Sequence, residues 1–329
     1  MLISIIIPAY NAEKTIERCL ESVRLQKDIE KIKEVLIVDD GSTDLSAKIC
    51  DDFCEKYEYA KVIHKKNEGL ISARREAIKN ARGEYCIFCD SDDFLEKDAL
   101  HELDKIIKKD NPDLILYNAY TYNNGQKATF FNNVFKEGMI ENKEKIYNKL
   151  LLEYSINAIW LKAVKKSIID IEKDYKKFYK YNFGEDLLQT IPLVKKAKRI
   201  YYLNKALYNY RIESGMMRKY SSNYYWSYRY VNMEIDQQLE EEKIIDMKEK
   251  VAFHLIIAAY GAVTQLKYCN NIKFEEIDQI RNDPVFINKY HMLMNSKYKS
   301  NLKLKQRLVL FFMTKRFYGV LNLLLKYRK

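Results

Sequence analysis

An alternation constrains this chain more than any other feature. Five apolar runs, LISIIIP, EVLIVDD, AKVIH, YCIFCD and DLILYNA, recur through the first 120 residues, with helical spacing between them. Ala12 to Gln26 puts Ile16, Leu20 and Val23 on one helical face. After Gly41, Ser42 or Thr43 can cap a second helix whose inner face carries Ile49 and Phe53. Gly69 to Ala81 and about Lys97 to Lys109 read as two more helices. Near-continuous apolar strands need cover on both faces. The pattern therefore predicts an α/β fold with a mostly parallel sheet flanked by helices. In such sheets ligands bind beyond the carboxyl ends of the strands.

Polar residues collect at those ends. Strand one runs into Pro8, Ala9, Tyr10 and Asn11, and strand two into Asp39, Asp40, Gly41 and Ser42. Strand three is followed by Asn67, Glu68 and Gly69, and strand four by Asp90, Ser91, Asp92 and Asp93. Four such ends predict one rim. Beyond Asn123 the pattern loosens through NNGQK into two expected helices, Lys143 to Tyr154 and Ile159 to Ile169. GED then caps a helix, RIYYL and ALYNYR read as two short strands, and from Tyr224 onward the chain reads as helices only. The expected division is a sheet domain over residues 1–215 and a helical C-terminal region over 216–329.

Composition narrows the classes. Hydrophobic residues make up 47% of 329, enough for a buried core. The start LISIIIPAY lacks the basic leader of a secretory signal, and no apolar stretch reaches spanning length. The six cysteines show no metal-ligand spacing that a second Cys/His pair completes, so they read as reduced core residues of a cytoplasmic protein. The net charge of +11 is uneven. Residues 300–329 hold Lys303, Lys305, Arg307, Lys315, Arg316, Lys326, Arg328 and Lys329 with no Asp or Glu. No nucleic-acid partner is expected. Apolar and basic residues at helical spacing in this tail suit either a terminal helical pair or an anionic membrane surface at the inner face of the cell membrane.

The rim has the chemistry a nucleotide-sugar needs. Tyr10 can stack on a nucleobase, and Asp40 can accept a hydrogen bond from a uracil imide. The D-x-D of Asp90 and Asp92 suits a hard divalent cation that shares its oxygen ligands with phosphates. Arg74 or Arg75 can add a diphosphate contact. The G-x-x-x-x-G-K-[ST] and G-x-G-x-x-G phosphate binders are missing.

PAYN, VDDGSTD, NEGLISARR, GEY and DSDD occur in that order. Together they resemble the inverting family-2 glycosyltransferases of bacterial surface-polysaccharide type, with the Rossmann-like GT-A fold. The resemblance covers about residues 1–120 and extends more loosely to Arg211. It implies a nucleoside site at Pro8, Ala9, Tyr10 and Asn11, uracil reading by Asp40, and nucleotide contacts from Asn67 and from Arg74 or Arg75. It implies Mn2+ or Mg2+ at Asp92 and Asp90, with Ser91 between them. Gly184, Glu185 and Asp186 match an acid pair, with Asp186 as catalytic base, although acids favour a helix start in any case. Trp160, Lys162 and Arg211 match acceptor-side segments, and Ser214 a loop over the diphosphate.

The implied reaction moves a hexosyl or N-acetylhexosaminyl group from a UDP-sugar to a glycan, lipid-linked or polymer acceptor. The absence of Q-x-x-R-W suggests non-processive transfer. The alternatives are a sugar-nucleotide-forming nucleotidyltransferase and an inactive glycan-binding module. The run YSSNYYWSYRYV reads either as a sugar-stacking surface or as a helical packing stripe.

Overall fold

The computed structural model describes residues 2–326 apart from 124, 131–132, 213–219, 241, 243, 245 and 270–273. The chain forms two compact units. One comprises Met1–Lys143 with Ser155–Gly215, the other Glu144–Tyr154 with Met216–Lys329.

In the first unit β1 (Ile3–Ala9), β2 (Ile32–Asp39), β3 (Ala60–His64) and β4 (Tyr85–Phe88) form a parallel sheet. Every residue of β1 is buried, as its unbroken apolar run requires. The pairing of β1 with β4 stops at Ile6–Phe88, so the missing N–H of Pro8 removes no rung on that side. The connecting helices are α1 (Ile16–Arg24), α2 (Ser46–Lys56) and α3 (Leu70–Asn80). α1 buries Ile16, Cys19, Leu20 and Val23, the face that its spacing predicts. None of the six cysteines forms a disulfide among the described residues.

The sheet continues through β5 (Phe94–Leu95), β6 (Leu114–Asn123), β7 (Gln126–Phe130), β8 (Gly138–Met139), β9 (Lys162–Lys165) and β10 (Ile200–Arg211). Its order is β3-β2-β1-β4-β9-β6-β10-β5, with β7 on β6 and β8 on β10. α4 (Ala99–Asp110) precedes β6, and α6 (Glu185–Lys196) precedes β10.

Two expectations need correction here. The segment expected as a helix from Ile159 to Ile169 is a short turn followed by β9, which runs antiparallel between β4 and β6. Lys162, Ala163 and Val164 are fully buried there. The sheet has a gap between β4 and β6, and filling it outweighs the local helical pattern. The two expected short strands are one, β10. Asn204 and Lys205, which look like a turn, lie at a bulge in its pairing with β6.

The second unit contains α5 (Lys143–Asn148), whose continuation to Glu153 winds as a π turn, then α7 (Tyr224–Leu239) and α8 (Met247–Gln265). α9 (Phe274–Asn282), α10 (Pro284–Met294), α11 (Leu304–Thr314) and α12 (Tyr318–Lys326) follow. Its core gathers Ile256, Ala259, Val263, Ile277, Phe286 and Leu293 with Val309, Leu310, Met313, Leu321 and Leu325. Two buried side chains of α8 find partners. Lys250 Nζ donates to Glu144 Oε1 at 2.9 Å, and His254 Nδ1 lies 3.0 Å from Asn232 Oδ1. Burial alone pushes the His254 imidazole down to about 3, so it is neutral.

Candidate functional site

Register places the rim. Ala9 lies opposite Asp39 and Ile6 opposite Phe88, so the residues after β1, β2 and β4 leave the sheet at one edge. Asp40 N donates to Ala9 O at 2.8 Å and Cys89 N to Ile6 O at 2.9 Å, carrying the pairing to the edge itself. Tyr10, 52% exposed, stands there. Pro8 and Ala9 are buried in the strand and offer only backbone.

The three carboxylates after β4 divide their work. Asp93 points inward and is 2% exposed. Tyr208 Oη donates to its Oδ2 at 2.8 Å and Arg211 N to its Oδ1 at 2.7 Å. Burial, with Asp92 and Asp90 nearby, raises its carboxyl well above the usual range. Tyr208 Oη also accepts from Asp90 N at 3.0 Å, so the whole turn is pinned to β10. Ser91 and Asp92 are half-buried at the rim, and Asp90 has 21% of its side chain exposed.

Arg74 joins this turn to a distant helix. It is fully buried on α3. Nη2 donates to Asp90 Oδ1 at 2.8 Å, and Nη1 donates to Asp186 Oδ1 at 2.6 Å. Asp186 belongs to α6 (Glu185–Lys196), which begins after Gly184 in a left-handed conformation at φ 82°. Burial, and then the Asp90 charge, leave the Asp186 carboxyl above its usual range, with Arg74 opposing that rise. Among the described residues Glu185 forms no such ion pair, and Arg74 acts on it only through its charge. Burial and then the Asp186 charge push it up to about 8.

Several residues lie elsewhere than expected. Arg74 faces carboxylates rather than an open diphosphate site. Arg75 Nη2 donates to Ile171 O at 2.5 Å, and its guanidinium lies over the Tyr175 ring, so neither arginine projects from the rim. Asp40 is 3% exposed. Its carboxylate accepts from Lys65 Nζ at 3.0 Å, Glu68 N at 3.1 Å and Gly69 N at 2.7 Å, which turns it into the loop after β3. Asn11 serves the loop after β2: its Oδ1 accepts from Thr43 N at 2.8 Å, and its N donates to Ser42 Oγ at 3.0 Å. Asn67 is exposed on the tethered loop. A Cβ at Gly41 would lie 2.8 Å from Asn67 N, and φ there is +75°, so glycine is required where the two loops meet.

The acceptor-side residues are packed. Trp160, 6% exposed, stacks on Tyr208 at 4.4 Å and Tyr210 at 5.4 Å. Lys162 Nζ donates to Ile156 O at 2.7 Å and Ala158 O at 2.6 Å. Burial pushes that ammonium down to about 7. Arg211 ends β10 beside Asp93, and Ser214 lies outside the described residues.

Sequence reasoning missed two features. His64, at the end of β3, lies 2.9 Å from Asp39 Oδ2 and 3.0 Å from Asp51 Oδ1. A cleft of about 640 Å3 runs between Asn67 and Lys176, Lys177 and Lys180. The lysine cluster just before GED was its only signal.

No group of three His, Cys, Asp or Glu side chains among the described residues is arranged to hold a metal ion by itself. The donors present are hard carboxylate oxygens at the edge, Asp92 and Asp90, which fit a divalent cation completing its shell with phosphate oxygens.

Comparison with known proteins follows the same lines. The model of Glycosyl transferase family 2 matches residues 4–170. The chain is 29% identical over 278 residues to glycosyltransferase GlyA of Streptococcus pneumoniae, covering 82% of this chain but only 38% of that protein. It is 30% identical over 228 residues to putative glycosyltransferase EpsH of Bacillus subtilis, covering 68% of this chain and 65% of that one. The crystal structure of S. aureus TarS 1-349 in complex with UDP-GlcNAc superposes with a TM-score of 0.63 at 23% identity, over 90% of this chain and 89% of that one. That likeness shows the GT-A fold.

Proposed function

The chain belongs to glycosyl transferase family 2, and from that premise we propose that it transfers a sugar from a UDP-sugar to an acceptor hydroxyl with inversion. The observation that carries the reading is the Arg74 bridge. It holds Asp90 and Asp186, remote in sequence, to one guanidinium at 2.8 and 2.6 Å. The donor-side turn and the acid pair therefore share one edge of the sheet.

Tyr10 stacks on the base, and the Asp40-tethered loop carrying Asn67 walls the nucleotide. Asp186 takes the proton of the acceptor hydroxyl. As that proton leaves, the acceptor oxygen bonds to the anomeric carbon and the bond from that carbon to the β-phosphate oxygen breaks, so UDP departs with the electron pair. Arg74 opposes the rise in the Asp186 pKa and fixes where its carboxylate points. Asp92, with Asp90 beside it, would hold Mn2+ or Mg2+, whose charge stabilises the departing diphosphate.

The group moved is of hexosyl or N-acetylhexosaminyl type, added one unit per encounter, and the setting is assembly of a bacterial surface glycan. The UDP-GlcNAc complex of TarS supports the donor class. The acceptor is a glycan, lipid-linked or polymer chain.

The tail supports a cytoplasmic protein resting on an anionic membrane surface. No helix of the described residues is long and apolar enough to cross a membrane. α11 and α12 bury Val309, Leu310, Met313, Leu321 and Leu325, yet these helices and the turn between them expose Leu304, Phe311, Phe317, Val320 and Leu323. Lys303, Lys305, Lys315 and Arg316 stand among those exposed residues.

A thermal-shift screen of UDP-sugars with and without Mn2+ tests the reading. One UDP-sugar should raise the midpoint more with the metal than without, and Asp92→Asn should lose the metal increment. A wild-type protein that no UDP-sugar stabilises would refute it.

A further inference from the structure

The helical unit holds a cavity of about 690 Å3 that the transfer chemistry does not use. Its walls come from the residues before and at the start of α7, the end of α8 and the start of α9. Three aromatic side chains, Tyr220, Trp226 and Phe274, line it and are each only half-buried. Two of the rings are fixed. Trp226 meets Tyr225 edge-on at 5.1 Å, and Phe274 stacks on Tyr318 at 5.0 Å. Around them Asn223, Glu275 and Gln279 are exposed, the last two a helical turn apart on one face of α9. In the motif YSSNYYWSYRYV, Tyr225 belongs to the core and Trp226 packs against it, and both line the cavity.

Open aromatic surface beside planar amide and carboxylate groups suits a sugar. The rings cover its C–H faces, and the amides and carboxylates take its hydroxyls. Charge narrows the class. The protein carries +11, yet none of the described lining residues is Lys or Arg, and two are glutamates. Arg229, 6.0 Å from the Trp226 ring, is paired with Asp283 at 2.9 Å. Glu276 accepts from Tyr220 Oη and Glu275 is exposed, and with no Lys or Arg among the described lining residues a phosphate or an anionic lipid suits these walls less well than an uncharged ligand does.

We propose that this cavity binds an uncharged saccharide and so retains the glycan chain on which the enzyme acts. The identity of the occupant rests on the glycosyl-transfer reading, whereas the site rests on the cavity itself.

Saturation-transfer NMR on the full chain tests it, with N,N′-diacetylchitobiose, cellotriose and maltotriose as probes and UDP as control. At least one saccharide should take up saturation from aromatic protons. Its affinity should fall about tenfold in Trp226→Ala and should fall also in Gln279→Leu, an exposed position whose thermal midpoint should not move. UDP should bind both variants as it binds wild type. If none of the three saccharides binds, or if binding survives both substitutions undiminished, the site is wrong. Failure of UDP to bind wild type would instead overturn the glycosyl-transfer reading.

Discussion

A guanidinium with no exposure needs opposing charge, and Arg74 takes it from Asp90 and Asp186, each a little over a fifth exposed. The same contacts fix where both carboxylates point. Arg75, one residue on, is tied to backbone carbonyls and has no part in this arrangement. His64 fixes a second corner. Its ring lies between Asp39 and Asp51, and bonds to Asp39 first and Asp51 second raise its pKa above the ordinary 6.5. A histidine raised in this way stabilises the fold fully below pH 6.5, and the benefit is lost as pH rises through the folded value. The melting temperature of wild type should therefore exceed that of His64→Gln most at pH 5.5–6.5. The gap should close towards pH 9. A gap independent of pH would show that His64 acts by shape alone.

Elements set which of these residues were legible. The five apolar runs are strands: four are buried along most of their length, and AKVIH, the edge strand β3, only in part, and the apolar character that marks them is local. Their polar ends follow from the same runs, so the rim could be read without coordinates. The segment after Ala158 could not. IWLKAVKKSII fits a helix by spacing, but the open slot between β4 and β6 makes it strand, and the slot is built by distant residues. Asn11 and Asp40 were opaque for the same reason, because the donors that claim their oxygens come from other loops. Lys162 marks the cost of β9: its amine serves three carbonyls before the strand. Lys162→Met should leave those acceptors unsatisfied and lower stability by about 1–3 kcal/mol in a denaturant titration. An unchanged midpoint would mean that the carbonyls find other donors.

At the scale of the whole molecule, charge and apolar exposure meet in the tail. Each unit has its own core, and α11 and α12 belong to the second through their buried faces. Their other faces carry exposed leucine and phenylalanine among cations, a surface that a core alone does not explain. Replacing Lys303, Lys305, Lys315 and Arg316 by Glu should abolish co-sedimentation with phosphatidylserine-containing vesicles and leave UDP affinity unchanged. Undiminished sedimentation would remove the membrane from the account. The transfer reaction is the larger claim, since every proposed role at the rim assumes it. Donor turnover by Asp186→Asn, read as UDP release beside calorimetric UDP binding, tests it most directly. The account predicts wild-type UDP affinity with turnover lower by about 100-fold or more. Turnover at the wild-type rate would contradict it.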